Sequence, residues 1–396
     1  MAVTDVSILK KKRQQKKMMR FLKKFIIMFI IAAAIATVVL TKDLWYPYLD
    51  GILTKIPSGN TTAELAEGEF PIAINGGADY QLETMDNAIA VLDDSHFIVY
   101  NNSAKQLFSQ QHTLANPVMS VSSKKALIYD LGGTSFGLMS KYKEIYSKTT
   151  DSPILIAKLS ENDYSAVVTK NDKFLSMLMI YDNNGENIFN YGSVTRIIDV
   201  TFNRDNSGCY ITTISSEDGV LVSKMLYYRF DHIDYDAAGN PVPVWETEGL
   251  ETLAVSVRLF GADNIVVFGD NLCAYYDVNG NFIKSYEYDF NLSGFDSEGN
   301  LAALIFKNTE RKTTDLVTID CLSGEISERK LEYIAENIQV SHNLVYIQKH
   351  NGITAYTAYG AVSAEVTLDS DYDDFRKNNN HVFLLGYDEI NRIDFS

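Results

Sequence analysis

The chain is predicted to be all-β, an eight-bladed β-propeller carried behind one apolar N-terminal segment. Three observations lead there. A hairpin recurs along most of the sequence, its copies fall into groups of four strands near 40 residues each, and the last group is one strand short. The clearest hairpin is Met179 to Tyr191, in which an apolar run reaches Asp182, turns at Asn183-Asn184-Gly185 and returns through Ile188 and aromatic residues. Asn and Gly tolerate the positive φ of a tight turn, so turn and flanks agree. Looser copies lie at Tyr276 to Gly280, Ile319 to Gly324 and Asp234 to Gly239.

Residues 1–24 hold Lys10, Lys11, Lys12, Arg13, Lys16, Lys17, Arg20, Lys23 and Lys24 against the single Asp5. They read as a cytoplasmic tail, because basic residues flanking an apolar segment stay on the cytoplasmic side. Residues 25–42 come next as a signal-anchor helix; Phe25 to Thr41 is uncharged and just long enough to cross when Lys23, Lys24 and Lys42 snorkel. Ala34-Ile35-Ala36 resembles a signal-peptidase site, but it sits inside the apolar run, so an uncleaved anchor is preferred. Trp45, Tyr46 and Tyr48 would form an interfacial belt, and residues 43–68, with Pro47, Gly51, Pro57, Ser58 and Gly59, read as a juxtamembrane linker.

The propeller then occupies 69–396. Its blades are expected at 80–111, 117–149, 154–193, 196–248 (enlarged by longer loops), 253–289, 291–332 and 337–368. The remainder, 372–396, has room for three strands, and Glu69-Phe70-Pro71-Ile72-Ala73-Ile74 would supply the fourth, tying the chain ends together. Seven blades is the alternative count.

Phe70 to Ile74, Ala90-Val91-Leu92, Tyr100-Asn101, Asn116-Pro117-Val118 and Ala126 to Gly133, behind a basic N-terminus and one membrane helix, resemble a family of membrane-anchored, propeller-like proteins of clostridial Gram-positive bacteria. That family is known only as a domain of unknown function. The resemblance covers nearly the whole chain. It implies a Gram-positive envelope location, and it carries no catalytic residues.

The composition limits the function classes. The formal net charge is -16, and setting the basic tail aside leaves about 26 basic against 50 acidic residues, a surface that repels nucleic acid. Cys209, Cys273 and Cys321 are odd in number and fall in separate repeats, which fits small buried strand residues better than a disulfide framework or a zinc site. Gly133-Thr134-Ser135-Phe136-Gly137 matches the G-x-S-x-G nucleophile elbow, but Leu138-Met139-Ser140-Lys141-Tyr142 reads as strand and turn instead of the required helix. Asp369-Ser370-Asp371-Tyr372-Asp373-Asp374 clusters four carboxylates without the glycine and distal glutamate of a calcium loop, and a solvated loop is the plainer reading. Asp182 to Glu186 also offers oxygen donors, but in a turn. The six histidines, His96, His112, His232, His342, His350 and His381, are scattered singly, and no phosphate-binding loop precedes a helix. Two tryptophans, Trp45 and Trp245, weaken any likeness to quinone-dependent propellers. The 24 tyrosines, among them Tyr227-Tyr228, Tyr275-Tyr276 and Tyr286, read mainly as packing between blades, with a carbohydrate- or peptide-binding face as the rival.

No catalytic, cofactor or metal residue is therefore assigned. Two functions stay open: a non-enzymatic binding or scaffolding module for an envelope protein, peptide or wall glycan, and a hydrolase or lactonase with its site in the central channel. The strand starts Val118, Leu155, Ile198, Val255 and Ile338 are apolar, so no repeated polar position faces the channel and the binding module is preferred.

Overall fold

The computed structural model describes residues 69–76, 79–261, 264–289, 292–321 and 323–395. The expected basic tail, membrane anchor and linker lie outside them; among the described residues no helix is long and apolar enough to cross a membrane. Those residues form eight four-stranded antiparallel sheets. Seven are consecutive hairpin meanders, and the eighth takes three strands from residues 374–394 and its outermost strand, Ile72–Ala73, from the N-terminal side, with Ile72 opposite Ile390. Eight blades and closure by the N-terminal strand are both as expected.

The burial pattern arises from the pleat. Ala88–Leu92, second strand of blade 1, is buried at every position. Ala88, Ala90 and Leu92 pack against Ala126, Ile128 and Met139 of blade 2, while Ile89 and Val91 pack against Phe383, Leu385 and Ile390 of blade 8. Successive side chains thus feed alternate neighbours, and a strand buried on both faces reads as an uninterrupted apolar run. The described residues contain eight buried clusters, and each joins one pair of adjacent blades. The ring has no common core; its stability resides in its seams.

Four blades share one device between the third and fourth strands. Asp182 Oδ1 accepts from the amides of Asn184 (2.9 Å) and Glu186 (2.8 Å), and Gly185 closes the turn at φ +80°. Asp277 holds Asn279 and Asn281 the same way, both at 2.9 Å, with Gly280 at +81°. Asp236 repeats it inside the insertion of blade 4. Asn101 does so in blade 1, where Ala104 takes the glycine place at φ +63°.

Blade 4 departs from expectation in how it is enlarged. Its second and third strands, Gly208–Glu217 and Val220–Arg229, are ten residues each, so strand length as well as loop length makes it larger. The innermost strand stops pairing at Arg196↔Ile214, so Ser215–Glu217 and Val220–Val222 pair only with each other and project as a two-stranded arm.

Candidate functional site

In blades 1 to 7 the first strand is innermost and faces the channel, and in blade 8 Asp374–Asn378 takes that place. The second-to-third turns and the links between blades lie at one end of the ring, here the upper face; the first-to-second and third-to-fourth turns lie at the lower face.

Innermost strands are sheet edges, and their outward N–H and C=O groups need partners. Side chains of the neighbouring blade supply them. Gln81 accepts from Met119 N (3.0 Å) and donates to Pro117 O (2.7 Å). Ser120 Oγ accepts from Leu159 N at 3.0 Å. Lys158 Nζ lies 3.2 Å from Asp199 Oδ1, and Asp199 Oδ2 accepts from Ser256 Oγ (2.7 Å) and Val257 N (3.0 Å). Arg258 Nη1 donates to Asp296 Oδ1 at 2.5 Å, and Asp296 Oδ2 accepts from Val340 N at 2.7 Å. Gln339 accepts from Lys377 N at 2.6 Å, and Arg376 grips Glu83 bidentately at 3.0 and 3.1 Å. All eight seams are crossed by such polar contacts, five of them reaching a backbone group and the Lys158–Asp199, Arg258–Asp296 and Arg376–Glu83 seams joining side chain to side chain.

This overturns the expectation that no repeated polar position faces the channel. Val118, Leu155, Ile198, Val255 and Ile338 are apolar, but polar residues sit elsewhere on the inner strands. In blades 3, 4 and 5 a β-bulge intervenes: Leu155, Ile198 and Val255 are the unpaired extra residues of Ile154–Leu159, Arg196–Phe202 and Ala254–Phe260. A bulge shifts the parity of everything after it. The only signal in the sequence was the shared offset of Lys158, Thr201 and Arg258, three residues beyond the bulge.

The other sequence candidates have plain structural roles. Ser135 opens a strand, Ser135–Ser140, so the G-x-S-x-G stretch lacks its helix. The 369–374 carboxylates diverge, with Asp371 3.3 Å from His350 and Asp374 2.8 Å from Arg376. Among the described residues no three His, Cys, Asp or Glu side chains gather as a metal site. Cys209 and Cys273 are buried strand residues, pushed up by burial, Cys273 to about 11. Cys321 differs from expectation: it comes after the strand Thr313–Asp320 in a turn, is partly exposed, and accepts from Asn264 Nδ2 at 3.1 Å. The tyrosines mostly pack between strands and blades; Tyr210, Tyr227 and Trp245 form a stack with centroids 4.7 to 5.8 Å apart.

Three surfaces stand out. At the lower end of blades 3–5, a cleft of about 450 Å³ is lined by Lys158, Asp199, Thr201, Arg204 and Arg258 among others. On the upper face of the same blades, Leu175 (62% exposed), Val194 (75%), Leu221 (53%), Leu253 and Val255 are exposed. Leu175 and Val194 flank the opposed pair Ser176↔Ser193, and Ser223 Oγ donates to Thr252 O at 2.7 Å, tying the arm to the link that carries Leu253. A second apolar group, including Tyr235, Val244, Phe282 and Ile283, lies on the lower outer rim of blades 4 and 5.

The model of one protein family, a family of unknown function designated DUF5711, matches residues 69–395. The chain belongs to that family. No curated protein matches it. Among solved structures, this DUF5711 propeller is similar to BamB from Moraxella catarrhalis, with TM-score 0.55, 13% identity, and 82% of this chain and 96% of that one covered. It is also similar to Sqt1 from Chaetomium thermophilum, with TM-score 0.55, 10% identity, and 84% and 100% covered. At such identities the likeness establishes the propeller fold of DUF5711 and nothing finer.

Proposed function

We propose that this DUF5711 protein is a membrane-anchored, extracytoplasmic and non-enzymatic binding module that docks an envelope protein on its upper face. The observation that carries the reading is the blade 4 arm with the apolar group beside it. Val220 and Leu221 at the arm, with Val194 and Leu253 at its base, form an exposed apolar surface at the upper face. Glu217 and Asp218 at the arm tip and Glu248 and Glu251 on the adjoining return are exposed, which favours a partner segment that is apolar and basic. The channel supports the same reading, because its carboxylates Glu83, Asp199 and Asp296 already hold blades together. Placement rests on the sequence: the basic tail 1–24, the apolar 25–42 and the linker 43–68 suit a single-pass anchor with the ring outside, and the family resemblance suits a Gram-positive envelope.

The test is crosslinking of the full-length protein in its own envelope, then isolation in mild detergent with metal analysis of the same sample. A discrete protein partner supports the proposal. A stoichiometric metal with hydrolytic turnover lost on changing Asp199 or Asp296 would replace it with the channel-enzyme reading, and protease protection of the ring in intact protoplasts would refute its placement.

A further inference from the structure

The inner strands of blades 3, 4 and 5 are the three that carry a β-bulge; the other five pair with their second strands in unbroken register. These same three strands line the 450 Å³ cleft. Aligned on the bulged residue, they are equivalent. The second residue onward, Ala157, Val200 or Val257, is buried in the seam with the preceding blade, and the third, Lys158, Thr201 or Arg258, lines the cleft. Bulges re-aim side chains, and three in neighbouring strands bring a repeated polar row to one place.

The row has more donors than acceptors. Both oxygens of the buried Asp199 are engaged, Oδ1 by Lys158 and Oδ2 by Ser256 and Val257. An ammonium has three donors and a guanidinium five, and Lys158 and Arg258 each reach one carboxylate while remaining 42% and 38% exposed. The Arg258 guanidinium also lies over the Phe295 ring, its Cζ 5.3 Å from the centroid, a cation–π contact that helps hold it at the cleft. Arg204, at the cleft wall, donates to Gly261 O.

We propose that this cleft binds a small oxyanion, whose carboxylate or phosphate oxygens take the unused donors of Lys158 and Arg258 beside the Thr201 hydroxyl. The volume suits a molecule of small-metabolite size. An oxyanion is the complement of surplus, partly desolvated donors whose carboxylate partners are otherwise satisfied. The site lies on the lower face, separate from the apolar upper surface, so either stands without the other.

The experiment is calorimetric titration of the full-length protein in detergent micelles at constant ionic strength, with citrate, with inorganic phosphate, and with sucrose as an uncharged control. The expected result is saturable one-to-one binding of citrate or phosphate, the arm that responds naming the oxyanion, and no heat from sucrose. Thr201→Asp, which touches none of the seam bonds, places a negative charge in the cleft and should weaken binding at least tenfold, as should Arg258→Met. Arg376→Met opens a seam at an unbulged strand; it should lower the unfolding midpoint while binding persists. No saturable binding of either anion, undiminished binding in Thr201→Asp, or equal loss in Arg376→Met would overturn the proposal.

Discussion

The hairpin turn is where single residues matter most visibly. Asp277 is held below the ordinary aspartate range, first by the Asn281 side-chain amide and also by the amides of Asn281 and Asn279. A depressed carboxylate contributes stability that is complete above its ordinary value of 3.8 and is lost as pH falls through the depressed one. Asp277→Asn should therefore be less stable than the parent at pH 6, with the gap closing below about pH 3.8, as read from unfolding midpoints across pH 6 to 2. Ala104 sits at φ +63° in the same kind of turn, where an L side chain costs about 1 kcal/mol. Ala104→Gly should raise stability by about 0.5 kcal/mol in urea unfolding, the gain reduced by glycine's looser unfolded chain; a loss would contradict the reading. The Asp-x-x-Gly copies were legible because residue type and required φ coincide. Asn101 to Ala104 hid its turn because alanine stands where glycine is expected.

At the scale of the element, burial on both faces made the second strands conspicuous as apolar runs and left the inner strands obscure. Ala88–Leu92 serves two seams and reads as solid apolar sequence. Arg196–Phe202 carries Asp199 among apolar residues, and its bulge at Ile198 breaks the alternation that would have marked it. The closing strand was legible by arithmetic, since three strands at the C-terminus require a fourth. Its hold is more than the two paired residues: Phe70, Ile72 and Ile74 pack on the blade 8–blade 1 cluster, Phe70 lies 5.8 Å from Phe383, and Arg392 stacks over it at 5.3 Å. Removing residues 69–75 should cost roughly 3 kcal/mol or more, from the lost burial of partly covered apolar side chains and one exposed edge. Unchanged urea unfolding would show that the ring does not rely on this strand.

At the largest scale the described residues form a circle of eight seams, each with an apolar cluster and a polar bond across its inner edge. That arrangement leaves most of the chain devoted to closure and concentrates the unusual features in blades 3 to 5, where three bulges, the cleft, the projecting arm and the exposed apolar group occur together. The arm escaped the sequence because length beyond the neighbouring strand is a property of pairing, visible only once Ile214 is seen to be the last residue opposite the inner strand. Docking on the upper face is the central functional claim. The most direct test is a photo-crosslinking scan in the native envelope, with the full-length protein carrying the probe in turn at Val194, at Leu221, at Phe282 on the lower outer rim, and at Tyr359 on the lower side of blade 7. The account predicts one and the same protein adduct from Val194 and Leu221 and none from Phe282 or Tyr359; an adduct confined to Phe282 or Tyr359, or none at all from the upper face, would contradict it.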